Sequence, residues 1–188
     1  MIFPRVTYNS PVVLTFAIIS TAVLLLDQLL LGGVSAGFIA APGRNHVNFG
    51  NFFEYYRFVS HIFGHSGWAH LTGNFFLILL LGPLLEEKYG SKKLFSMIFV
   101  TAIATALVNA FFLPNAVMGA SGIVFMMIML SGFTGFRSGE FPLTFVLVAL
   151  IYLTGELIAI LKTDNISQTA HLVGGLMGSF FGFRNARH

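Results

Sequence analysis

The chain has 188 residues, of which 56% are hydrophobic and only 9% are charged, and its formal net charge at pH 7 is +3. Soluble domains carry about 25% charged residues, so this composition excludes an ordinary soluble domain and indicates that most of the surface faces lipid. The chain has no cysteine, which excludes disulfides, thiol catalysis and cysteine metal sites. No basic segment is interleaved with aromatic residues, so we expect no nucleic-acid partner.

Six apolar runs of roughly membrane-spanning length follow one another along the chain. They lie near residues 11–31, 70–85, 94–113, 119–136, 141–161 and 170–183. About 20 helical residues cross the hydrocarbon core of a bilayer, and the runs do not alternate with period two, which favours helices over barrel strands. We therefore predict an all-α membrane protein, a six-helix bundle that forms a single transmembrane domain over residues 1–188.

The basic residues predict the orientation of these spans. With the N-terminus inside, the inner segments hold seven basic residues and the outer segments three. The inner residues are Arg5, Lys88, Lys92, Lys93, Arg137, Arg184 and Arg187, and the outer ones are Arg44, Arg57 and Lys162. Because Lys and Arg are enriched in cytoplasmic loops, this asymmetry predicts a multi-pass protein with both termini in the cytoplasm.

One long connection, residues 32–69, follows the first span on the outer side. Its second half, NFGNFFEYYRFVSHIFGHSGWAH, mixes many aromatic rings with polar residues. Aromatic side chains concentrate at membrane interfaces. We therefore expect this first loop to lie embedded in the interface, with an ordinary packed loop as the alternative.

Four polar residues stand at the heads of spans two, four and six. They are His70, Asn74, Ser121 and His171. Burying a polar group in a membrane costs free energy, so such residues are functional candidates. The three spans all run from outside to inside, which predicts that these side chains lie at one outer depth.

Small residues predict how spans four and six pack. On span six, the helical face of His171 continues through glycines at steps of three, four and seven. These are Gly174, Gly175, Gly178 and Gly182. Span four begins with the small stretch GASG, residues 119–122, and small residues let membrane helices approach closely. We predict that these faces pack together and bring His171 opposite Ser121.

These residue types favour hydrolytic chemistry. An imidazole beside a serine takes the hydroxyl proton, which would make Ser121 a nucleophile and His171 its general base. The backbone N–H groups of Ser121 and Gly122 at a helix start, with the side chains of His70 and Asn74, would supply oxyanion donors. The residues alone leave open the alternative that Ser121 is a packing residue.

No metal or cofactor is expected from the sequence. His61 and His65 precede His70, but no H-E-x-x-H pattern is present and no carboxylate stands in a ligand position. Asp27 and Glu156 are the acidic residues well inside spans. Both lie near outer helix ends, where we expect them to reach the interface and stay hydrated.

Four stretches match a known family in the same order along the chain. They are HIFGHSGWAHLTGN at 61–74, EEKYGSKKL at 86–94, GASG at 119–122 and AHLVGGLMG at 170–178. Together they resemble the rhomboid intramembrane serine proteases over about residues 54–183. The resemblance implies a rhomboid-like bundle of six transmembrane helices around a water-filled cavity open to the extracytoplasmic side. It also implies a half-submerged first loop and a mobile fifth helix that acts as a gate.

The resemblance further implies the roles of individual residues. Ser121 matches the family's nucleophile and His171 its general base, a dyad without a third acidic residue. His70, Asn74 and the backbone N–H of Ser121 match the groups that stabilise the oxyanion. We expect helix packing around the site to depend on four glycines and one ring, namely Gly119, Gly122, Phe125, Gly174 and Gly178.

Two positions depart from the family's usual pattern. Phe125 stands where many bacterial members have a tyrosine that packs on the catalytic histidine, and Tyr56 with Arg57 replaces a Trp-Arg pair in the first loop. Neither change removes a catalytic group. The departures therefore bear on substrate preference and loop packing rather than on activity.

We thus predict an intramembrane serine endopeptidase in the inner membrane of a bacterium, which cleaves transmembrane segments of other proteins near the extracytoplasmic face. Its partners are these substrates and the lipid bilayer, and its oligomeric state is open. One alternative is a non-catalytic rhomboid-like chaperone or adaptor that binds helices in the same cavity. The other is a small transporter with His70, Glu156 and His171 as a proton relay.

Overall fold

A computed structural model of the chain describes residues 6–31, 35–135, 143–144, 146–151, 154 and 168–186. The α-helices are α1 (Pro11–Leu26), α2 (Ser35–Ile39), α3 (Arg57–Ser60), α4 (Trp68–Tyr89), α5 (Ser91–Phe112), α6 (Ser121–Gly132) and α7 (Gln168–Ala186). A π-helical turn, Asp27–Leu31, extends α1, and 3-10 turns cover Phe52–Glu54, His61–Phe63 and Phe133–Gly135. The described chain is therefore helical, as predicted.

Three described helical segments are long and apolar enough to cross a membrane, namely Pro11–Leu30, Trp68–Tyr89 and Ser91–Phe112. Helix α6 is apolar but shorter. The predicted fifth span, residues 141–161, lies mostly outside the described residues, although residues 146–151 within it are helical. The all-helical membrane fold is thus confirmed, while the count of six spans stays a prediction.

Several boundaries differ from those that hydropathy predicts. Helix α4 extends beyond 70–85 at both ends, because a helix continues past the part of it that is apolar. Helix α6 begins at Ser121 rather than at 119, since Gly119 has a φ of +133°, which is not helical. Asp27 is only 8% exposed, so our expectation that it reaches water is wrong. It lies where α1 changes to π-helical turns.

Polar contacts bring four helix ends together at one end of the bundle, which we call the base. The Glu86 carboxylate near the end of α4 accepts the N–H groups of Val12 (3.0 Å) and Val13 (3.1 Å) in the first turn of α1. It also accepts the Ser91 hydroxyl at the start of α5, at 2.7 Å. Lys88 donates from Nζ to the carbonyls of Phe133 and Thr134 after α6. Helices α4 and α6 therefore run towards the base, and α1 and α5 run away from it.

The opposite end, which we call the top, is covered by the first loop. Arg57 in α3 donates from Nε to the Ala40 carbonyl at 2.8 Å, and the Tyr56 hydroxyl donates to the Phe38 carbonyl. Several aromatic rings of the loop are exposed, among them Phe49, Phe52, Tyr55 and Tyr56, with Phe52 at 82%, whereas Phe58 is buried. A segment whose backbone carbonyls are hydrogen-bonded and whose aromatic rings are exposed is suited to the membrane interface.

Candidate active site

Helices α6 and α7 pack through glycine, as the sequence predicts. A Cβ atom added to Gly174 would overlap the carbonyl group of Gly122, and one added to Gly178 would overlap the carbonyl oxygen of Met126. Contacts without side chains let the two backbones approach more closely than larger residues allow. The successive pairs also show that α6 and α7 run in the same direction, from the top towards the base.

This packing brings Ser121 and His171 to the same level of the interface between α6 and α7. The carbonyl oxygen of Ala170 lies 3.2 Å from the place that a Cβ on Gly122 would take. Ser121 precedes Gly122 and His171 follows Ala170, so both stand where the interface between the two helices begins. The His171 ring packs against Phe125 in a tilted arrangement, with ring centroids 4.2 Å apart and planes 37° apart. Phe125 stands one helical turn after Ser121, so the imidazole lies beside the first turns of α6.

The predicted oxyanion pair on α4 approaches the start of α6 at Gly119. A Cβ on Gly119 would lie 2.8 Å from both Cε1 and Nε2 of His70 and 3.9 Å from the amide nitrogen of Asn74. The positive φ of Gly119 also disfavours any side chain there. Glycine at this position therefore lets the two polar side chains of α4 reach the start of α6.

The donors of this pair are available. The Asn74 amide nitrogen is buried and makes no hydrogen bond to any described group, although a buried donor without a partner costs about 1–3 kcal/mol. Nδ1 of His70 lies 3.2 Å from the Ser66 hydroxyl. If that hydroxyl donates, Nε2 carries the ring proton and faces Gly119.

Two further histidines, outside the predicted catalytic and oxyanion residues, hold the segment before α6. The carbonyl of His61 accepts the N–H of Gly119 at 2.9 Å, and its Nε2 lies 3.1 Å from the Ala102 carbonyl on α5. The Ala120 N–H points to Nε2 of His65 at 3.5 Å. His61 and His65 precede His70 by nine and five residues, and the family resemblance implies that they hydrogen-bond the loop or help to retain water near the site.

The histidine rings are kept neutral by their surroundings. Burial lowers the pKa of His61 from 6.5 to about 4, against the opposing effect of its hydrogen bond to Ala102. Burial, and secondarily the charge of His70, lower the pKa of His65 to about 4. A neutral His65 keeps Nε2 as an acceptor for Ala120.

In the described part of the chain, no three His, Cys, Asp or Glu residues group closely enough to hold a metal ion.

We expect the protein to lose stability as the pH falls from 7 to 5. Both histidines have folded pKa values near 4, so the unfolded chain binds protons below its own value of about 6.5 while the folded chain does not. Protonation then favours unfolding, by about 2 kcal/mol at pH 5 for His61 alone. The measurement is the thermal midpoint against pH in detergent. The stability of His61→Gln should depend less on pH than that of His46→Gln, an exposed control; equal slopes would contradict the assignment.

Fold and site together define a class: an all-helical membrane bundle in which three helices carry polar side chains at one end. Residues 53–188 match the family model described as the Rhomboid domain. The chain therefore belongs to the rhomboid family, and the resemblance proposed from its motifs is confirmed.

Individual relatives agree with this membership. The chain is 31% identical to Rhomboid-like protein 11, chloroplastic, of Arabidopsis thaliana, over 68% of this chain and 51% of that protein. It is 28% identical to Rhomboid protease GlpG of Serratia proteamaculans, over 73% of this chain and 50% of the relative. With the GlpG of Yersinia enterocolitica the identity is 24%, over 95% and 64% of the two chains. The chain thus spans about half the length of the first two.

Proposed function

We propose that the protein is an intramembrane serine endopeptidase with a Ser121 and His171 dyad. His171 takes the hydroxyl proton of Ser121 as the oxygen attacks the carbonyl carbon of the scissile peptide bond. It then gives that proton to the leaving amine, and the acyl group stays on Ser121 as an ester. Water, deprotonated by the same imidazole, attacks the ester, and the serine hydroxyl is restored.

In this proposal the negative charge of each tetrahedral intermediate forms between α4 and α6. The amide of Asn74, Nε2–H of His70 and the backbone N–H of Ser121 donate to it. The first N–H groups of α6 have no acceptor within the helix, and the helix dipole makes this end positive. Donors already held in place cost no reorganisation when the charge appears. The buried, unpartnered Asn74 amide nitrogen supports this role.

The substrates we propose are transmembrane segments of other membrane proteins, cleaved near the extracytoplasmic face. The dyad lies at the top of the bundle, near the first loop, which agrees with a cut close to one membrane surface. A helix shields its carbonyls through its own hydrogen bonds, so the substrate must unwind locally before attack. The proposed gate, the fifth helix, lies mostly outside the described residues.

One observation carries the proposal: two independent glycine contacts converge on the first turn of α6. The contacts of Gly122 with Ala170 and Gly174 bring His171 close to this turn. The contacts of Gly119 with His70 and Asn74 bring the donors close to it. A serine that served only for packing would need neither a base nor an unpaired amide donor nearby.

The test is covalent labelling of the purified protein by a fluorophosphonate probe. We expect labelling of the unchanged chain, none of Ser121→Ala, and full labelling of Ser131→Ala, a control serine at the other end of α6. Labelling that survives in Ser121→Ala, or is absent from a folded unchanged chain, would overturn the proposal. A chaperone or adaptor would bind helices without labelling, and a transporter would move protons or solute across vesicles.

We also propose that the base faces the cytoplasm of a bacterial cell, with both chain termini there. The chain is free of cysteine, so single cysteines can be labelled without background. We expect a membrane-impermeant maleimide to label His46→Cys in the first loop of intact spheroplasts, and Lys93→Cys at the base only after lysis. The reverse pattern would show the opposite orientation, and equal labelling before lysis would contradict a fixed topology.

A further inference from the structure

An apolar groove of about 540 Å³ lies on the outside of the bundle between α1 and α5. Its walls are Pro11, Val12, Thr15, Phe16 and Ile19 on α1 and Ser91, Phe95, Ile98 and Phe99 on α5. Val59, Ile62 and Phe63 of the first loop close its upper end. Among the described residues, nothing closes the groove at its side or at its lower end towards the base.

The lining is suited to hydrocarbon. It contains two side-chain hydroxyl groups, and both have partners: Thr15 Oγ1 lies 2.8 Å from the Tyr8 hydroxyl, and Ser91 donates to Glu86 at 2.7 Å. A polar ligand or trapped water would find no unpaired side chain here. A hydrocarbon chain would fill the groove and contact its apolar lining without breaking any hydrogen bond.

The groove is short along both helices. On each wall the lining runs over nine residues, from Pro11 to Ile19 and from Ser91 to Phe99, and the eight steps between the ends make about 12 Å at 1.5 Å per residue. A flexible acyl chain is narrow enough to enter.

Charge at the lower end selects the kind of lipid. Lys92 precedes Phe95 by three residues and Phe99 by seven, so it shares their helical face beside the groove. Lys93 lies about 100° further round α5 and points away from the groove. Both lysines are exposed. Glu86 is the carboxylate that contacts this end, and three donors already occupy it.

We propose that this groove binds an acyl chain of an anionic phospholipid from the leaflet at the base, with the lipid phosphate paired to Lys92. The first loop prevents the acyl chain from extending beyond the middle of the groove side of the bundle. The long side chain of Lys92 carries its ammonium group to the level of the lipid headgroups. The site is separate from the proposed dyad, which lies at the top. Its test does not depend on proteolysis.

The experiment measures quenching by brominated lipids at a single tryptophan. Trp68→Phe removes the chain's one tryptophan, and Phe95→Trp places a reporter in the groove; Phe76→Trp, on an exposed position of α4, is the control reporter. Each protein is reconstituted in phosphatidylcholine that contains either brominated phosphatidylglycerol or brominated phosphatidylcholine. Lys92→Gln and Lys93→Gln are then added to the groove reporter.

From the quenching, we expect brominated phosphatidylglycerol to bind beside the tryptophan at position 95 at least about threefold better than brominated phosphatidylcholine. At position 76 we expect the two lipids to bind equally. Lys92→Gln should abolish the preference, and Lys93→Gln should keep it. Equal quenching by both lipids at position 95, or equal effects of the two lysine changes, would overturn the proposal. Native mass spectrometry of the unchanged chain gives a second readout: one retained phosphatidylglycerol is expected, and loss of all lipid under conditions that keep the fold would contradict the site.

Discussion

Replacing His171 by glutamine is expected to lower the rate of substrate cleavage by about 10⁴-fold or more, because a serine without its base is a poor nucleophile. Glutamine fills much of the same space beside Phe125, whose ring lies 4.2 Å from the imidazole. It cannot accept and return a proton near neutral pH. The packing of α6 on α7 should therefore survive while the proposed chemistry is lost.

The measurement is cleavage of a reconstituted transmembrane reporter, together with the thermal midpoint of each variant. His46→Gln, at an exposed histidine in the first loop, is the matched control and should keep full activity. If His171→Gln keeps a rate within tenfold of the unchanged chain at equal stability, another group must act as the base. A loss of stability in parallel with activity would indicate a packing role for the imidazole instead.

The packing of α6 on α7 was predictable because it follows from local pattern. Glycines at helical spacing lie on one face whatever the rest of the fold does, and in lipid a glycine face has close backbone contact as its main use. The contact of Gly174 with Gly122 confirms that argument. A common depth for the candidate site residues was also predicted from a simple pattern, since the order of the apolar runs determines which helix ends lie on the same side.

The environment of the donors could not be predicted in the same way, because it depends on the path of a loop. Nothing in the stretch before Ser121 indicates that Gly119 has a φ of +133° or that its missing side chain makes room for His70. The support from His65 likewise requires a first loop that folds back over the top. Sequence periodicity describes helices, and these contacts join loop residues far apart in the chain.

The capping at the base was missed for a related reason. Glu86 belongs to a charged stretch that resembles any polar turn, and only the meeting of α1 with α4 turns it into a cap for Val12 and Val13. Buried carboxylates at helix starts gain from the helix dipole. Asp27 was predicted wrongly for the same reason: its place near a helix end suggested exposure, and the fold buries it.

Replacing Gly174 by alanine is expected to lower the free energy of unfolding by about 3 kcal/mol or more, which is at the upper end for overpacking. The added methyl group would overlap the carbonyl of Gly122, and backbone cannot move aside as a flexible side chain does. Helix α7 must then shift away from α6 and carry His171 with it. A displacement of about 1 Å costs about 100-fold in rate when reacting groups are positioned by the fold.

Gly73→Ala is the matched control, since a Cβ at this position of α4 would meet no atom of the described residues within 4 Å. Alanine in a helix interior is favoured over glycine by up to about 1 kcal/mol, so this variant should be as stable as the unchanged chain or more so. Thermal midpoints in detergent and reporter cleavage are measured for both variants. If Gly174→Ala matches Gly73→Ala in stability and rate, close approach of α6 and α7 is not what holds His171 beside Ser121. If only the rate falls, the shift of α7 is small and the dyad is sensitive to it.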